Sequence, residues 1–173
     1  MNSYGSFIFA LISLKMAYVA TGVILTCPDG WSAWDTSCYR FYNNPKSTWD
    51  GAQAHCNRYS VSTAHSRHVA HLVNVDSSQE QNFILSWWKT MRTNYDNEYE
   101  VVWLGLNDKS KEGRFDGTDG CPPKFTFWDV NEPNNLRGED CASIWNTHEN
   151  HDNGAWNDSP CTDQYAFICE INF

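Results

Sequence analysis

The seven cysteines restrict the possible folds more than any other feature of this 173-residue sequence. A reducing cytosol would leave most of them unpaired, so their number indicates an oxidising compartment and a domain held together by disulfide bonds. Zinc binding is the competing explanation, but the sequence has no Cys-x-x-Cys pair and no histidine at ligand spacing near two cysteines. We therefore expect a disulfide-rich extracellular domain.

Length and charge limit the number of domains and the kind of partner. A chain of 173 residues fits one domain, and no repeat, collagen-like run or heptad indicates a second unit. The formal net charge of −9 argues against nucleic acid as a partner, because phosphate backbones require a basic face.

Residues 1–22 are predicted to be a signal peptide, followed by one domain over residues 23–173. An apolar core at residues 7–14 precedes Ala20-Thr21-Gly22, which is an acceptable cleavage site. However, no Lys or Arg precedes this core, and Lys15 interrupts the apolar run. A membrane anchor stays open as the alternative, although the run is a poor transmembrane helix. We expect a secreted protein with no membrane span in its mature form.

Apolar periodicity predicts two helices. Their apolar positions, spaced by three or four residues, are Trp49, Ala52, Cys56 and Tyr59 in the first and Phe83, Ile84, Trp87, Trp88 and Met91 in the second. Ser47 or Thr48 can cap the first helix and Ser77 or Ser78 the second, with Glu80 available to the first turn. We interpret the apolar face of the second helix as core.

Strands and loops are predicted around these helices. Residues 101–106 are almost continuously apolar and predict a buried strand, whereas residues 165–171 alternate and predict a closing strand. Residues 60–71 contain three histidines without periodicity, and we expect single exposed histidines there. Residues 107–127 are turn-rich, and a long irregular loop of this kind is usually functional.

Oxygen-bearing side chains cluster between residues 127 and 158. They are Glu132, Asn134, Asn135, Glu139, Asp140, Asn157 and Asp158. Ca²⁺ takes oxygens of this kind in sets of about 6–8 at about 2.3–2.6 Å, whereas Zn²⁺ would require His or Cys. An acidic surface loop without a ligand is the alternative. Two clusters of such residues beside Trp128 and Trp156 favour a calcium site.

Three motifs in this region resemble those of the C-type lectin family. Glu132-Pro133-Asn134 is similar to the family's Glu-Pro-Asn sugar motif, and Trp156-Asn157-Asp158 is similar to its Trp-Asn-Asp motif. Between them, Gly138-Glu139-Asp140-Cys141 resembles the family's acidic-acidic-Cys step. The resemblance extends over nearly all of the chain after Cys27. It implies an α+β fold with two helices, small antiparallel sheets, long calcium-binding loops and disulfide staples.

The resemblance also implies how the cysteines pair. The implied disulfides are Cys27–Cys38, which marks the long form of the domain, Cys56–Cys169, which ties the first helix to the last strand, and Cys141–Cys161, which spans the ligand loops. Cys121 has no partner in this pattern, and an odd cysteine in a secreted protein indicates an intermolecular bond or a free thiol. We expect a disulfide-linked homodimer through Cys121.

The calcium ligands are implied in the same way. The principal ion and the sugar are expected at Glu132, Asn134, Glu139, Asn157 and Asp158. An auxiliary ion is expected at Asp108, Glu112, Asn135, Glu139 and Asp140. Pro133 is expected to be cis, with an ordinary turn proline as the alternative. Asn157-Asp158-Ser159 is also an N-glycosylation sequence, but a glycan would remove a ligand, so we expect none there.

The function implied by the resemblance is calcium-dependent carbohydrate binding without catalysis. In the family, the Glu-Pro-Asn order accompanies mannose, fucose, glucose and N-acetylglucosamine, whereas Gln-Pro-Asp accompanies galactose. A glycosidase using Glu132 and Glu139 is the rival class, but carboxylates bound to Ca²⁺ stay ionised, and a general acid needs a raised pKa. A ligand-free or ice-binding protein of the same fold is the other alternative. The expected partners are glycans with mannose-type sugars, for example on microbial surfaces.

Overall fold

The computed structural model describes residues 19–20, 23–24, 26–91, 100–146 and 154–173. Most of the predicted signal peptide therefore lies outside the described residues. Its one described piece, β1 (Val19–Ala20), pairs with β2 (Val23–Ile24). Within the described ranges, no helix is both long enough and apolar enough to cross a membrane.

One sheet of eight strands organises the described chain. The remaining strands are β3 (Ser32–Trp34), β4 (Ser37–Ser47), β5 (Ser60–Ser62), β6 (Arg67–Val69), β7 (His71–Leu72), β8 (Glu100–Asn107), β9 (Asp116–Gly117), β10 (Cys141–Asn146), β11 (Trp156–Ser159) and β12 (Tyr165–Asn172). The sheet has the order β11-β10-β8-β12-β4-β3, with β7 beside β12 and β9 beside β8. β5 and β6 form a separate pair.

Both faces of the sheet carry buried side chains. Successive side chains of a strand point to opposite sides, so one strand can contribute to two apolar clusters. In β8, Val102 and Leu104 enter one apolar cluster with residues of the second helix, whereas Trp103 enters another with residues of the first. β12, near the C-terminus, pairs antiparallel with β4 and parallel with β8, so it lies between these two strands in the sheet. The strands predicted at residues 101–106 and 165–171 are confirmed, as is the α+β fold.

The first helix, α1 (Trp49–Cys56), is shorter than its periodicity predicts. Its cap is Thr48, whose hydroxyl oxygen accepts the Gly51 N–H at 3.2 Å. The prediction that Tyr59 continues the helix is wrong, because the chain turns after Cys56. The carbonyl oxygen of Tyr59 instead accepts the N–H of Ala70 at 2.9 Å.

The second helix, α2 (Ser78–Met91), packs its apolar face against the sheet. Ser77 caps it by accepting the Glu80 N–H at 3.1 Å. Trp88 is fully buried, as predicted, but Met91 is 45% exposed, so the core face ends before the helix does. Glu80 is almost fully buried although its sequence position indicated only a first-turn acid.

Three disulfides join these elements, and they match the pairing that the resemblance implies. They are Cys27–Cys38, Cys56–Cys169 and Cys141–Cys161. Cross-links of this kind stabilise a fold by about 2–4 kcal/mol each, largely by restricting the unfolded chain. Cys141–Cys161 matters most for the loops, since it connects the start of β10 to the segment that follows β11.

The histidines of residues 60–71 differ from the expectation of single exposed side chains. Only His65 is exposed. His68 Nδ1 donates to the carbonyl oxygen of Asn172 at 2.5 Å, and His71 Nε2 lies 2.6 Å from Asn172 Oδ1. These two histidines therefore hold the C-terminal end of β12.

Candidate functional site

The loop that begins at Phe127 is fixed to β11 by backbone hydrogen bonds. The N–H of Trp156 donates to the Phe127 carbonyl at 2.8 Å, and the N–H of Asp129 donates to the Trp156 carbonyl at 2.8 Å. The Trp128 ring meets the fully buried Trp156 ring edge-on, with centroids 5.7 Å apart. The two tryptophans thus anchor the entry of the loop to the core.

Asp158 holds the middle of the same loop. Asp158 lies in β11 and is only 1% exposed. Oδ1 accepts the N–H of Asn134 at 3.1 Å and Oδ2 accepts the N–H of Asn135 at 2.7 Å. An ionised carboxylate makes such bonds stronger than neutral groups do. One side chain therefore joins two of the motifs identified in the sequence.

Glu132 and Asn134 lie on either side of a cis proline. The peptide bond between Glu132 and Pro133 is cis, which confirms the expectation. Asn134 Nδ2 donates to Glu132 Oε1 at 2.8 Å. The other oxygen, Glu132 Oε2, is buried and has no hydrogen-bond partner among the described residues.

Glu139 and Asn157 are positioned by their neighbours in sequence. Asn135 Oδ1 accepts the N–H of Glu139 at 2.9 Å, which closes the loop just before β10. The Nδ2 group of Asn157 donates to the carbonyl of Asp158 and lies 3.4 Å from Ser159 Oγ. Of the five residues of the predicted principal set, Glu132, Asn134 and Glu139 thus lie on the loop that precedes β10, whereas Asn157 and Asp158 lie on β11.

The carboxylates of the principal set are partly buried and repel one another. Burial raises the pKa of Glu132 to about 7, the Asp158 carboxyl adds to the effect, and the Asn134 amide opposes it. Burial followed by the Asp158 charge also raises the pKa of Glu139, whereas Arg137 opposes this rise. A bound cation would relieve both the desolvation and the repulsion.

The predicted auxiliary set centres on Asp108, which is only 2% exposed. Its Oδ2 accepts the Gly113 N–H at 2.8 Å, while Oδ1 is buried without a partner in the described chain. The N–H of Asp108 donates to the Asp140 carbonyl at 3.0 Å. Burial raises the pKa of Asp108, with a contribution from the Asp140 charge. Glu112 is exposed, so Asp108 is the fixed member of the set.

The chemistry of both sets fits calcium. Every donor is an oxygen, and Glu132 Oε2 and Asp108 Oδ1 are buried acceptors that nothing in the described chain satisfies. Across residues 26–91, 100–146 and 154–173, no three His, Cys, Asp or Glu side chains are grouped closely enough to hold a metal as they stand. The side chains would therefore have to close further around an ion.

Cys121 is free and exposed. Asp119 raises the pKa of its thiol, so less thiolate is present at neutral pH than for an ordinary cysteine. The thiol lies at the edge of a cavity of about 300 Å³ that Asn74 and Lys124 also line. Its exposure is compatible with a bond to a second chain, but the raised pKa would slow formation of that bond.

Two further features of this region were missed by sequence reasoning. The first is Arg137, whose backbone φ is 68°. The sequence could have drawn attention to it, because it is the only Lys or Arg between residues 127 and 163. The hydroxyl of Tyr165 donates to Asp163 Oδ2 at 2.8 Å while its ring packs on Trp103. Alternation along β12 indicated only a strand at that position.

Comparisons with known proteins agree with this architecture. The model of the lectin C-type domain matches residues 45–171. The alpha-N-acetylgalactosamine-specific lectin of Patiria pectinifera is 34% identical over 82% of this chain and 78% of its own length. The crystal structure of the C-type lectin CEL-I from Cucumaria echinata is 33% identical, with a TM-score of 0.73 over 86% of this chain and 99% of that one.

A calcium-independent type II antifreeze protein has the same fold, at 26% identity and a TM-score of 0.67 over 87% of this chain and 97% of that one. The fold alone therefore does not determine the ligand. The family itself follows from the extent of the domain match and from the identity with the Patiria pectinifera lectin. This chain belongs to the C-type lectin family.

Proposed function

We propose that this chain is a secreted, calcium-dependent lectin that binds mannose-type sugars and has no catalytic activity. The principal ion would be held by Glu132, Asn134, Glu139, Asn157 and Asp158. The observation that carries the proposal is the buried Glu132 oxygen, which has no partner among the described residues and lies beside the Asn134 amide in a loop held by Asp158. The auxiliary ion would be held by Asp108, Glu112, Asn135, Glu139 and Asp140.

The chain's own residues would determine the orientation of the sugar. When bound, calcium would supply coordination positions for two neighbouring hydroxyls. Glu132 can only accept hydrogen bonds while ionised, and the Asn134 NH₂ can only donate them. Hydroxyls that span this pair must direct a hydrogen to Glu132 and a lone pair to Asn134. The 3- and 4-hydroxyls of mannose are both equatorial, whereas the 4-hydroxyl of galactose is axial, so the two sugars present different geometries.

Two alternatives have support of their own. The Patiria pectinifera relative is named for alpha-N-acetylgalactosamine, and the sequence order Glu-Pro-Asn is our reason to favour mannose-type sugars here. The antifreeze protein of this fold is calcium-independent. One buried oxygen each of Glu132 and Asp108 has no partner in the part of the chain that the structure describes, and this is our reason to favour a calcium-binding chain, because an ice-binding surface would not require such oxygens.

Calorimetric titration of the mature protein with mannose, galactose and N-acetylgalactosamine would test the proposal, at saturating calcium and in EDTA. We expect roughly millimolar affinity for mannose, because one shallow site orders few contacts, and complete loss in EDTA. Acid should also release the sugar, since the ligands must be ionised to hold calcium. Mannose binding that persists in EDTA would contradict the proposal. An ice-growth assay and a reducing-sugar assay on mannan would detect the two rival functions.

Because each single site is expected to bind sugar weakly, tight binding to a glycan surface would require several sites in one assembly. Linking sites can raise avidity by about 10²–10⁴-fold. We propose that Cys121 links two chains. Non-reducing gel electrophoresis of the secreted protein should show a dimer that disappears in Cys121→Ser. Because Asp119 raises the thiol pKa, Asp119→Asn should speed dimer formation. A wild-type monomer on this gel would exclude the dimer.

A further inference from the structure

Ser66 and His68 lie side by side on the hairpin formed by β5 and β6. Ser66 directly precedes β6 and His68 lies within it, so the two side chains are two positions apart and point to the same side of the chain. The Ser66 hydroxyl oxygen lies 2.6 Å from His68 Nε2. Ser66 is exposed, whereas His68 is half-buried. The proposed calcium and sugar ligands all lie outside this hairpin.

The opposite side of the imidazole determines the direction of the hydrogen bond with Ser66. His68 Nδ1 lies 2.5 Å from the backbone carbonyl oxygen of Asn172, which can only accept, so Nδ1 carries a hydrogen. In the neutral imidazole, Nε2 then carries no hydrogen and can only accept. The Ser66 hydroxyl is therefore the donor to Nε2. The Phe173 ring packs beside the imidazole, with centroids 4.9 Å apart, and helps to keep its orientation.

Thr63 holds Ser66 in place without competing for its hydrogen. Thr63 Oγ1 accepts the N–H of Ser66 at 3.0 Å and the N–H of His65 at 3.3 Å. The same oxygen lies 3.0 Å from Ser66 Oγ and 3.1 Å from the Ser66 carbonyl oxygen. Because Ser66 gives its only hydroxyl hydrogen to His68, the Thr63 hydroxyl must donate to one of these two oxygens. Thr63 thus positions the serine and leaves its hydrogen with the histidine.

A hydroxyl, a base that accepts its hydrogen and a group that orients the base together form the arrangement of an activated nucleophile. A positioned base of this kind typically contributes about 10²–10⁴-fold to the rate of a reaction. The backbone N–H groups of His65 and Ser66 already donate to Thr63, so they are not free to stabilise an oxyanion. The geometry therefore favours slow transfer of a single group over rapid turnover.

We propose that Ser66 is an acylation site, at which an activated ester transfers its acyl group to the serine oxygen. Ser66 Oγ forms a bond to the ester's carbonyl carbon, and the bond between that carbon and the leaving alkoxide breaks. The hydroxyl hydrogen passes to His68 Nε2 and from there to the alkoxide, so the products are an ester on Ser66 and an alcohol. Each chain accepts one acyl group. This site does not depend on the proposed sugar site.

Labelling with an alkyl fluorophosphonate would test whether Ser66 is activated, because reactive hydroxyls displace fluoride from this reagent. Peptide mass spectrometry would give the labelling rate of each serine in the folded protein. Ser62 is the internal control, since it is an exposed serine of β5 that lies opposite Arg67. We expect Ser66 to react at least about tenfold faster than Ser62. 4-Nitrophenyl acetate should then place an acetyl group on Ser66.

Variants separate the chemical role of His68 from its structural role. His68→Gln should slow the labelling of Ser66 at least about tenfold, because an amide does not take up the hydroxyl hydrogen. His68 also holds Asn172, so a displaced hairpin would slow labelling too. Free imidazole should restore part of the labelling in His68→Ala, since it replaces the base but not the link to Asn172. His65→Gln is the matched control, because His65 is an exposed histidine of the same hairpin, and it should label at the wild-type rate.

The outcomes either support or overturn the acylation site. Equal labelling of Ser66 and Ser62 in the wild type would overturn it, as would a Ser66 rate that is unchanged in His68→Gln. No rescue by imidazole would show that His68 only holds the hairpin, and phosphonylation without acetylation would exclude acyl transfer. Mannose binding should be the same in all variants. A protein that binds mannose but is not labelled at Ser66 would keep the proposed function and lose this inference alone.

Discussion

The Glu80–Glu170 pair in the core and the Glu132–Asp158 pair in the ligand loop both keep carboxyl groups away from water. In the core pair, every carboxyl oxygen accepts a hydrogen bond. The donors are the Tyr39 hydroxyl and the Asp76 N–H to Glu80, and the Asn74 N–H and the Asn172 NH₂ to Glu170. In the loop pair, Glu132 Oε2 is buried with no donor among the described residues.

This difference separates a structural group from a candidate ligand. Burial is the first cause of the raised pKa of both Glu170 and Glu132, so the pKa alone does not distinguish the two regions. The distribution of hydrogen-bond donors does, because a buried acceptor that lacks one is costly unless something else satisfies it. By this criterion the core pair is complete, whereas the loop pair is open to a ligand.

The backbone shows the same contrast. Among the described residues, four non-glycine residues have positive φ, and three of them lie in the ligand loop, at Asn131, Asn135 and Arg137. The fourth, Asp35, lies in the turn between β3 and β4. The core elements therefore use ordinary conformations, and the loop keeps unfavourable ones where we place the ligand site.

Removal of one negative charge from the Glu132–Asp158 pair should have the largest effect on sugar binding. Asp158→Asn exchanges one carboxylate oxygen for an NH₂ group that cannot accept the backbone N–H of Asn134 or Asn135. We expect mannose binding to fall below detection, at least about 100-fold, because changing even an outer partner of a metal ligand commonly costs about 10–100-fold and Asp158 is itself a proposed ligand. Binding to a mannose column at saturating calcium would measure this.

Asp163→Asn is the control for that variant, because it removes an acidic group of the same region that is not a proposed ligand. It should keep most of its mannose binding. Equal loss in both variants would mean that overall charge, rather than the position of Asp158, controls binding.

The core pair should instead affect the pH dependence of stability. Burial, helped by the Glu80 charge, raises the pKa of Glu170 to about 8. The native state therefore holds a proton that the unfolded state loses near the ordinary value, so the stabilisation is complete at low pH and disappears as pH rises towards about 8. Glu170→Gln should flatten this part of the pH profile, by up to about 5 kcal/mol across the window.

Urea unfolding of wild type and Glu170→Gln at several pH values, in EDTA, would measure the difference in slope. The slope is the informative quantity, because the amide also disturbs hydrogen bonds to Asn74 or Asn172 and lowers stability at every pH. Parallel profiles for the two proteins would show that Glu170 titrates normally and that the core pair is not a protonated group.

Exchanging the two polar groups beside Pro133 should change which sugar binds while leaving calcium binding nearly intact. The double variant Glu132→Gln and Asn134→Asp keeps one carboxylate and one amide but reverses their order. We expect it to lose at least about tenfold in mannose affinity and to gain weak galactose binding, since one reversed hydrogen-bond pair is worth about 1–2 kcal/mol. Competitive elution from a mannose column, with each single variant as control, would measure this change. A double variant that still prefers mannose would place selectivity in other loop contacts.

The contrast between the two regions also explains what the sequence could predict. The residues of the loop site are close together in short motifs, so Glu132, Asn134 and Asp158 could be identified from their order and their resemblance to a family. Its detailed geometry could not be identified, because the placement of Asn134 depends on Asp158 of a different strand. The helices could also be predicted from local signals, namely a capping residue such as Thr48 and the periodic spacing of apolar residues.

The core pair could not be predicted in this way. Glu80 and Glu170 are 90 positions apart, and nothing local to either residue indicates that α2 and β12 bring them together. Similarly, His68 looks like a surface histidine in sequence, but it donates to Asn172, which is 104 positions away. Local patterns predict elements, whereas the partners of buried polar groups depend on the complete fold.

The smallest expected effect concerns the backbone of the ligand loop. Arg137→Gly should stabilise the protein by about 0.5–1 kcal/mol, because glycine adopts a φ of 68° without the steric cost of a side chain, and this gain exceeds its greater loss of entropy on folding. Gly138→Ala should do the opposite by a similar amount, since the φ of Gly138 is 80° and its surroundings leave open space, so only the backbone conformation is tested. Thermal unfolding in calcium would detect the two opposite shifts. If Arg137→Gly instead lowers the unfolding temperature, the side chain of Arg137 stabilises the free loop through packing, and the positive φ is not a net cost to the loop.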